Sequence, residues 1–114
     1  MKLVTKEIEN RLEKYPLYSQ DGKKEDAICQ AKFFLCVGAW AWFILEANLE
    51  EGIAYGITIT GNWEGEYGYI SLSELQNLRT KFGLTVERDI SFKPTPLKDI
   101  KNEYLQKFLR KMYD

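Results

Sequence analysis

The stretch at residues 39–47, A-W-A-W-F-I-L-E-A, constrains the fold more than any other part of the chain. Every position is apolar until Glu46. Side chains of a strand point alternately to opposite faces. A strand that is apolar at every position therefore has to be covered on both faces, as the centre of a sheet or beneath a helix. Membrane insertion is no alternative. The longest uncharged apolar stretch, residues 33–45, is too short to span a bilayer and is interrupted by Gly38.

The segments around this strand continue the β pattern. Residues 27–36 alternate, with Cys29, Ala31, Phe33 and Leu35 on one face and Gln30 and Lys32 on the other. Gly38 permits a turn. Residues 48–52 read as a hairpin loop, and residues 53–60 alternate again, with Ile53, Tyr55, Ile57 and Ile59 pointing one way. A turn at residues 61–65 returns the chain as a short strand at 66–70.

Helical signals flank this meander. Val4, Ile8 and Leu12 recur every fourth residue, and Glu7 is placed to pair with Arg11, which predicts a helix over residues 3–14. Tyr15-Pro16 ends it, and residues 17–26 form a loop with its turn at Asp21-Gly22. Ser71 and Glu74 fit a capping box, with Ile70 and Leu75 as its hydrophobic staple. A buried stripe of Leu75, Leu78 and Phe82 follows, and Gly83 is the expected C-terminal cap. Residues 85–92 alternate as a last strand, with Val86, Ile90 and Phe92 inward. Arg88 shares that face, which places it at a sheet margin or beside a carboxylate. Thr95 and Pro96 read as the cap and first position of a final helix. Its apolar face comprises Leu97, Ile100, Tyr104, Leu105, Phe108, Leu109 and Met112. The expectation is one α+β domain over residues 1–114. It has an antiparallel sheet of about five strands, with helices at the N-terminus, before the last strand and at the C-terminus. With 45% hydrophobic residues in 114, such a domain fills a core without a metal or disulfide staple.

Much standard chemistry is missing. The chain has no histidine, which removes Ser-His and Cys-His nucleophile pairs and the commonest general base. It has neither a G-x-x-x-x-G-K-S/T nor a G-x-G-x-x-G loop. Cys29 and Cys36 lie within the apolar run, so both read as buried reduced thiols. Seven positions apart in one strand, they are too distant to bridge. No cofactor or metal is expected, although a site built from acids and one cysteine stays open. The N-terminus becomes charged at once, with no signal-peptide core, so the expected location is the cytoplasm.

Three surface features remain. Glu46, Glu64 and Glu66 lie in neighbouring β segments and could converge as catalytic acids. Trp42, Trp63, Tyr67 and Tyr69 could form an aromatic platform, although no lysine accompanies them. Between residues 33 and 78 there is no lysine or arginine, while Glu46, Glu50, Glu51, Glu64, Glu66 and Glu74 make the stretch formally −6. An acidic face of that kind steers association with a basic protein surface. Lys98, Lys101, Lys107, Arg110 and Lys111 near the C-terminus are diluted by Asp99, Glu103 and Asp114 and read as a solvated face. The net charge of −1 argues against direct nucleic-acid binding.

The motifs E-Y-G-Y-I-S-L-S-E-L, from Glu66, and G-L-T-V-E-R-D-I-S-F, from Gly83, resemble those of a bacterial family known only as a domain of unknown function. Its small members are common on plasmids, phages and integrative elements. The family pattern is matched at Lys32-Phe33-Phe34, at Trp42 with Glu46, at Tyr55-Gly56, at Glu66-Tyr67-Gly68-Tyr69 and at Glu87-Arg88-Asp89. Tyr67 replaces a leucine of the pattern and Tyr55 a phenylalanine. The resemblance covers roughly residues 15–92 and leaves the first and last helices outside. It marks Glu46, Glu66, Glu87, Arg88 and Asp89 for testing, with Arg88 placed to tie a strand to Glu66 or Glu46.

The mobile-element setting implies a non-enzymatic protein-binding module, specifically an inhibitor of a host defence nuclease of the CRISPR type. Its contact residues would be Glu46, Glu50, Glu51, Glu64 and Glu66, with Trp63 and Tyr67. Ser71, Glu74, Arg88 and Asp89 would be structural. The alternatives are an enzyme built on the carboxylates of Glu46 and Glu66, and a nucleic-acid binder using the basic C-terminal helix.

Overall fold

In the computed structural model, which describes residues 1–114, a five-stranded antiparallel sheet is packed between helices on both faces. The strand forced by the apolar run, β3 (Ala41–Asn48), is its centre. It is preceded by β1 (Ile28–Cys29) and β2 (Ala31–Phe34) and followed by β4 (Ile53–Ile59), β5 (Gly65–Ser71) and β6 (Glu87–Arg88). The sheet order is β5-β4-β3-β2-β6, so the meander gains β6 beside β2. A separate two-stranded sheet pairs β1 with β7 (Thr95–Pro96).

Each face of β3 feeds a different core. Trp42, Ile44 and Ala47 pack with Ile8 and Leu12 of α1 (Lys6–Glu13) and Leu75 of α2 (Leu72–Asn77). Phe43 and Leu45 pack with Leu97, Ile100, and Leu105 and Leu109 of α3 (Glu103–Tyr113). The α+β class, the meander and the three helices are as the sequence predicts.

Several boundaries differ, each for a local reason. The N-terminal helix starts at Lys6, because Thr5 Oγ1 accepts the Ile8 N–H and Gln76 Oε1 accepts the Leu3 N–H. The predicted strand over 27–36 is two strands, because the buried Gln30 interrupts it and its side chain donates to the Ile28 carbonyl. Ser71 caps α2 as expected, accepting from the Glu74 N–H at 3.3 Å. The helix nevertheless stops at Asn77, because Arg79 pairs with Thr85 across a tight turn. Gly83, at φ +80°, serves that turn and not a helix cap, and Phe82 is 84% exposed, not buried.

Only Glu87 and Arg88 of the predicted strand 85–92 pair with the sheet. Asp89 then accepts the Ser91 N–H on its side chain and the Phe92 N–H on its carbonyl, which turns the chain and leaves Ile90 78% exposed. Thr95 and Pro96 begin no helix. They pair with β1, and Asn102 caps α3 by accepting the N–H groups of Tyr104 and Leu105. Met112, expected on the apolar face of that helix, is half-exposed. Cys29 is buried and Cys36 is exposed, which corrects the expectation of two buried thiols; both are unbridged. No helix is long and apolar enough to cross a membrane.

Candidate functional site

The pairing of β3 with β4 shifts register between Ile44 and Glu46, so Leu45 is an extra residue. Strict alternation would put Glu46 on the α1 side with Trp42 and Ile44. The bulge returns it to the α3 side, opposite Tyr55. There its carboxylate, buried, accepts the Tyr18 N–H through Oε1 and the Gln20 N–H through Oε2, both at 2.7 Å. Gln20 completes the junction by donating to the Ile28 and Leu45 carbonyls and accepting the Ile28 N–H. One buried acid thus fixes the loop over residues 17–26 against the sheet. It also holds Tyr18 at φ +75°.

Tyr18 completes a group of tyrosines. Tyr55 and Tyr69 are register partners, and Tyr67 lies opposite Ile57 on the same face. The Tyr55 and Tyr67 rings stack at 6.1 Å, and those of Tyr55 and Tyr69 meet edge-on at 5.2 Å. Hydroxyl pairs close the group: Tyr18 with Tyr69 at 3.0 Å, and Tyr67 with Tyr113 of α3 at 2.6 Å. A pocket of about 220 Å³ opens between Tyr55, Tyr67, Tyr113, Glu46, Asp21 and Lys24. Met112 joins it to a concavity of about 470 Å³ around Trp63, Phe108, Lys107 and Lys111. Tyr18 and Tyr69 are 63% and 59% exposed.

The phenols of Tyr55, Tyr67 and Tyr69 stay protonated at neutral pH. Burial raises Tyr55 above the ordinary tyrosine range, and the charges of Glu46 and Asp21 add to it. Burial and then the Tyr113 hydroxyl raise Tyr67 further. Tyr69 is raised by its hydrogen bond to Tyr18 first and by burial second. Such a surface offers hydroxyl donors and π faces within a negative field. It is suited to recognising a cation, not to supplying a phenolate base.

The residues singled out from the sequence are dispersed. Glu50 and Glu51 lie in the turn before β4 and Glu64 in the turn after it, at opposite ends of a strand roughly 20 Å long. Glu66 pairs with Thr58, which pairs with Trp42, and so stands on the α1 face, away from Glu46. The six acids therefore do not form one face, and the carboxylates of Glu46 and Glu66 do not converge. Trp42 is buried and stacked on Trp40, while Trp63 stands in an exposed turn. Only Tyr67 and Tyr69 of the expected platform share a surface.

Arg88 sits in the same cross-strand row as Glu66, through Phe33, Trp42 and Thr58, but four strands away, roughly 19 Å. Instead of bridging to Glu66 or Glu46, its guanidinium donates to the Lys2 carbonyl and ties down the N-terminus. Asp89 pairs with Lys32 at 3.6 Å. The basic group near the C-terminus is also divided, with Lys98 bound to Asp26 at 2.7 Å and Lys107 and Lys111 beside Trp63.

Sequence reasoning missed Tyr18, Tyr113 and Asp21. The tyrosines at 67 and 69, two apart in a strand, were the available signal, because that spacing puts both on one face.

No curated protein and no solved structure matches this chain. A family match begins at residue 3 and reaches residue 104, so it takes in α1, which the motif resemblance left out. Over residues 3–104 the sequence fits the family described as protein of unknown function (DUF2958), and the chain belongs to that family.

Proposed function

We propose that the chain is a non-enzymatic protein-binding module that engages a basic partner through its tyrosine-lined face. The observation that carries this reading is the cluster of Tyr18, Tyr55, Tyr67, Tyr69 and Tyr113 around a pocket with the carboxylates of Glu46 and Asp21. Tyrosines are enriched where binding energy concentrates, because they supply large rigid area at little entropic cost. A partner arginine or lysine seated here gains cation–π attraction from the rings and Coulomb attraction from the acids. This keeps the basic partner expected from the acidic central segment, but moves the contact from the hairpin turns to the sheet face.

The test is capture of partners from the native host by the immobilised chain. Tyr55→Ala combined with Tyr69→Ala should weaken capture about tenfold or more, the loss expected on removing two aromatic anchors. Glu50→Lys with Glu51→Lys, at the far end of β4, should leave it unchanged. The reverse pattern would return the contact to the hairpin turns and sink this reading.

The narrowest form is inhibition of a host defence nuclease of the CRISPR type. It is supported by the mobile-element setting that the motif resemblance implies, and by the positively charged channel in which such enzymes hold nucleic acid. Stoichiometric addition of the chain should stop cleavage in vitro. Undiminished cleavage across a panel of such nucleases removes the narrow form and leaves the general one.

A further inference from the structure

The sheet has two edges, and they differ. β6 ends it with only two paired residues. β5 ends it with seven residues in unbroken register with β4. Exposed edges are normally blunted by lysine, proline, bulges or shortness, because a row of unpaired backbone groups invites another strand. β5 contains no lysine, no proline and no bulge. Its one charge, Glu66, stands on the face away from the tyrosines.

The direction of each backbone group on β5 follows from the ladder. Leu72 N–H donates to the Gly52 carbonyl at 2.9 Å, and Thr60 N–H donates to the Glu64 carbonyl at 2.8 Å. Hydrogen-bonded pairs recur at every second residue of an antiparallel ladder. Between those two bonds, Glu66, Gly68 and Ile70 therefore bond inward to β4. Gly65, Tyr67 and Tyr69 direct their N–H and C=O groups outward, and no loop or side chain in the structure takes them up, while Ser71 turns its N–H outward and its C=O into α2 as the N-cap. The residues with free backbone groups are thus the residues on the tyrosine face. A strand added at this edge would place every second side chain beside Tyr67 and Tyr69, since paired residues share a face at about 5 Å.

We propose that β5 is a docking edge for an extended, basic segment of the protein partner, which adds a sixth strand to the sheet. This deepens the proposed function and rests on it. The backbone row supplies affinity, and the tyrosines with Asp21 and Glu46 select basic side chains at alternate positions, the usual division of labour in strand addition. A second copy of the chain is the poorer occupant: β5 carries no basic residue, so self-pairing brings no charge complement to the acids.

The probe is a fluorescent peptide as long as β5, alternating arginine and valine. Its control has the same sequence and charge with its backbone nitrogens methylated, so that no N–H remains to complete a ladder. The alternating peptide should bind about tenfold or more tightly than the control. On binding, amide exchange should slow at Tyr67 and Tyr69 and stay unchanged at Gly68, which is already bonded to β4. Tyr69→Pro should abolish the preference, because the only backbone group it removes is an outward N–H, whereas Tyr69→Ala, which loses the ring and keeps that N–H, should keep it.

Equal binding of both peptides without new protection at Tyr67 and Tyr69 overturns strand addition and leaves the basic-partner reading standing. Binding of neither peptide removes both. Protection of these amides in the free protein, growing with protein concentration, assigns the edge to a second copy and overturns the proposal.

Discussion

Cys29 is sealed in the core with its thiol donating to the Ala31 carbonyl at 3.2 Å. Burial pushes it up from 9.0 to about 12, against smaller opposing effects from backbone hydrogen bonds and Lys32. As pH rises through about 9, the unfolded chain releases this proton while the folded chain keeps it. The stability tied to the neutral thiol is therefore complete below pH 9 and is lost between about 9 and 12. The slope is about 1.4 kcal/mol per pH unit for one proton. Tyr67, also raised by burial, acts in the same direction. Urea denaturation at pH 8, 10 and 11 should show a falling midpoint, and Cys29→Ala should make the fall shallower. A midpoint independent of pH in the parent chain would contradict the burial of both groups. Cys36, exposed, should be alkylated in the native protein while Cys29 is spared.

Among the elements, β3 shows what the sequence discloses and what it withholds. Its place at the centre of the sheet is legible, because nothing but cover on both faces accommodates A-W-F-I-L in succession. The direction of Glu46 is not legible. Alternation from Trp42 assigns it to the α1 side, and only the extra residue at Leu45 reverses it. Bulges depend on how two strands pair, which a pattern along one strand does not record. The errors at residues 27–36 and 85–96 have the same origin. Alternation runs unchanged through Gln30 although the chain changes sheets there, and Thr95-Pro96 suits a helix start until β1 claims both residues.

The tyrosine site was half legible for a related reason. Tyr67 and Tyr69 reveal their common face by spacing, whereas Tyr18 and Tyr113 reach it only through tertiary contacts. Glu46→Ala tests the anchor directly. The Tyr18 and Gln20 N–H groups would lose their buried acceptor. The expected cost is about 3 kcal/mol or more, read by urea denaturation, together with loss of native chemical shifts over residues 17–26. Unchanged shifts in that loop would show that Glu46 is not its anchor.

At the scale of the whole molecule, the sheet separates two cores that share no helix. α1 and α2 close one, α3 the other. Two such halves melt independently only if the layer between them can fail on one side alone. Here β3 contributes Trp42 and Ile44 to one core and Phe43 and Leu45 to the other, so loss of either core removes packing from the same backbone. Gly56 binds the layer more tightly still: a side chain there would meet the Phe43 carbonyl oxygen at 1.9 Å, so β3 and β4 have no slack. The prediction is cooperative unfolding despite two cores. Leu12→Ala and Leu105→Ala, on opposite faces, should each cost about 2–5 kcal/mol. Each should shift tryptophan fluorescence, which reports the Trp40–Trp42 stack, and helical circular dichroism, to which α3 contributes the longest helix, by the same amount. Separate transitions in either variant would mean that the sheet does not couple its faces. Coupling has a consequence for binding. The edge of β5 and the tyrosines beside it are then held by both cores at once, so a partner strand meets backbone groups already in line and loses little affinity to ordering them.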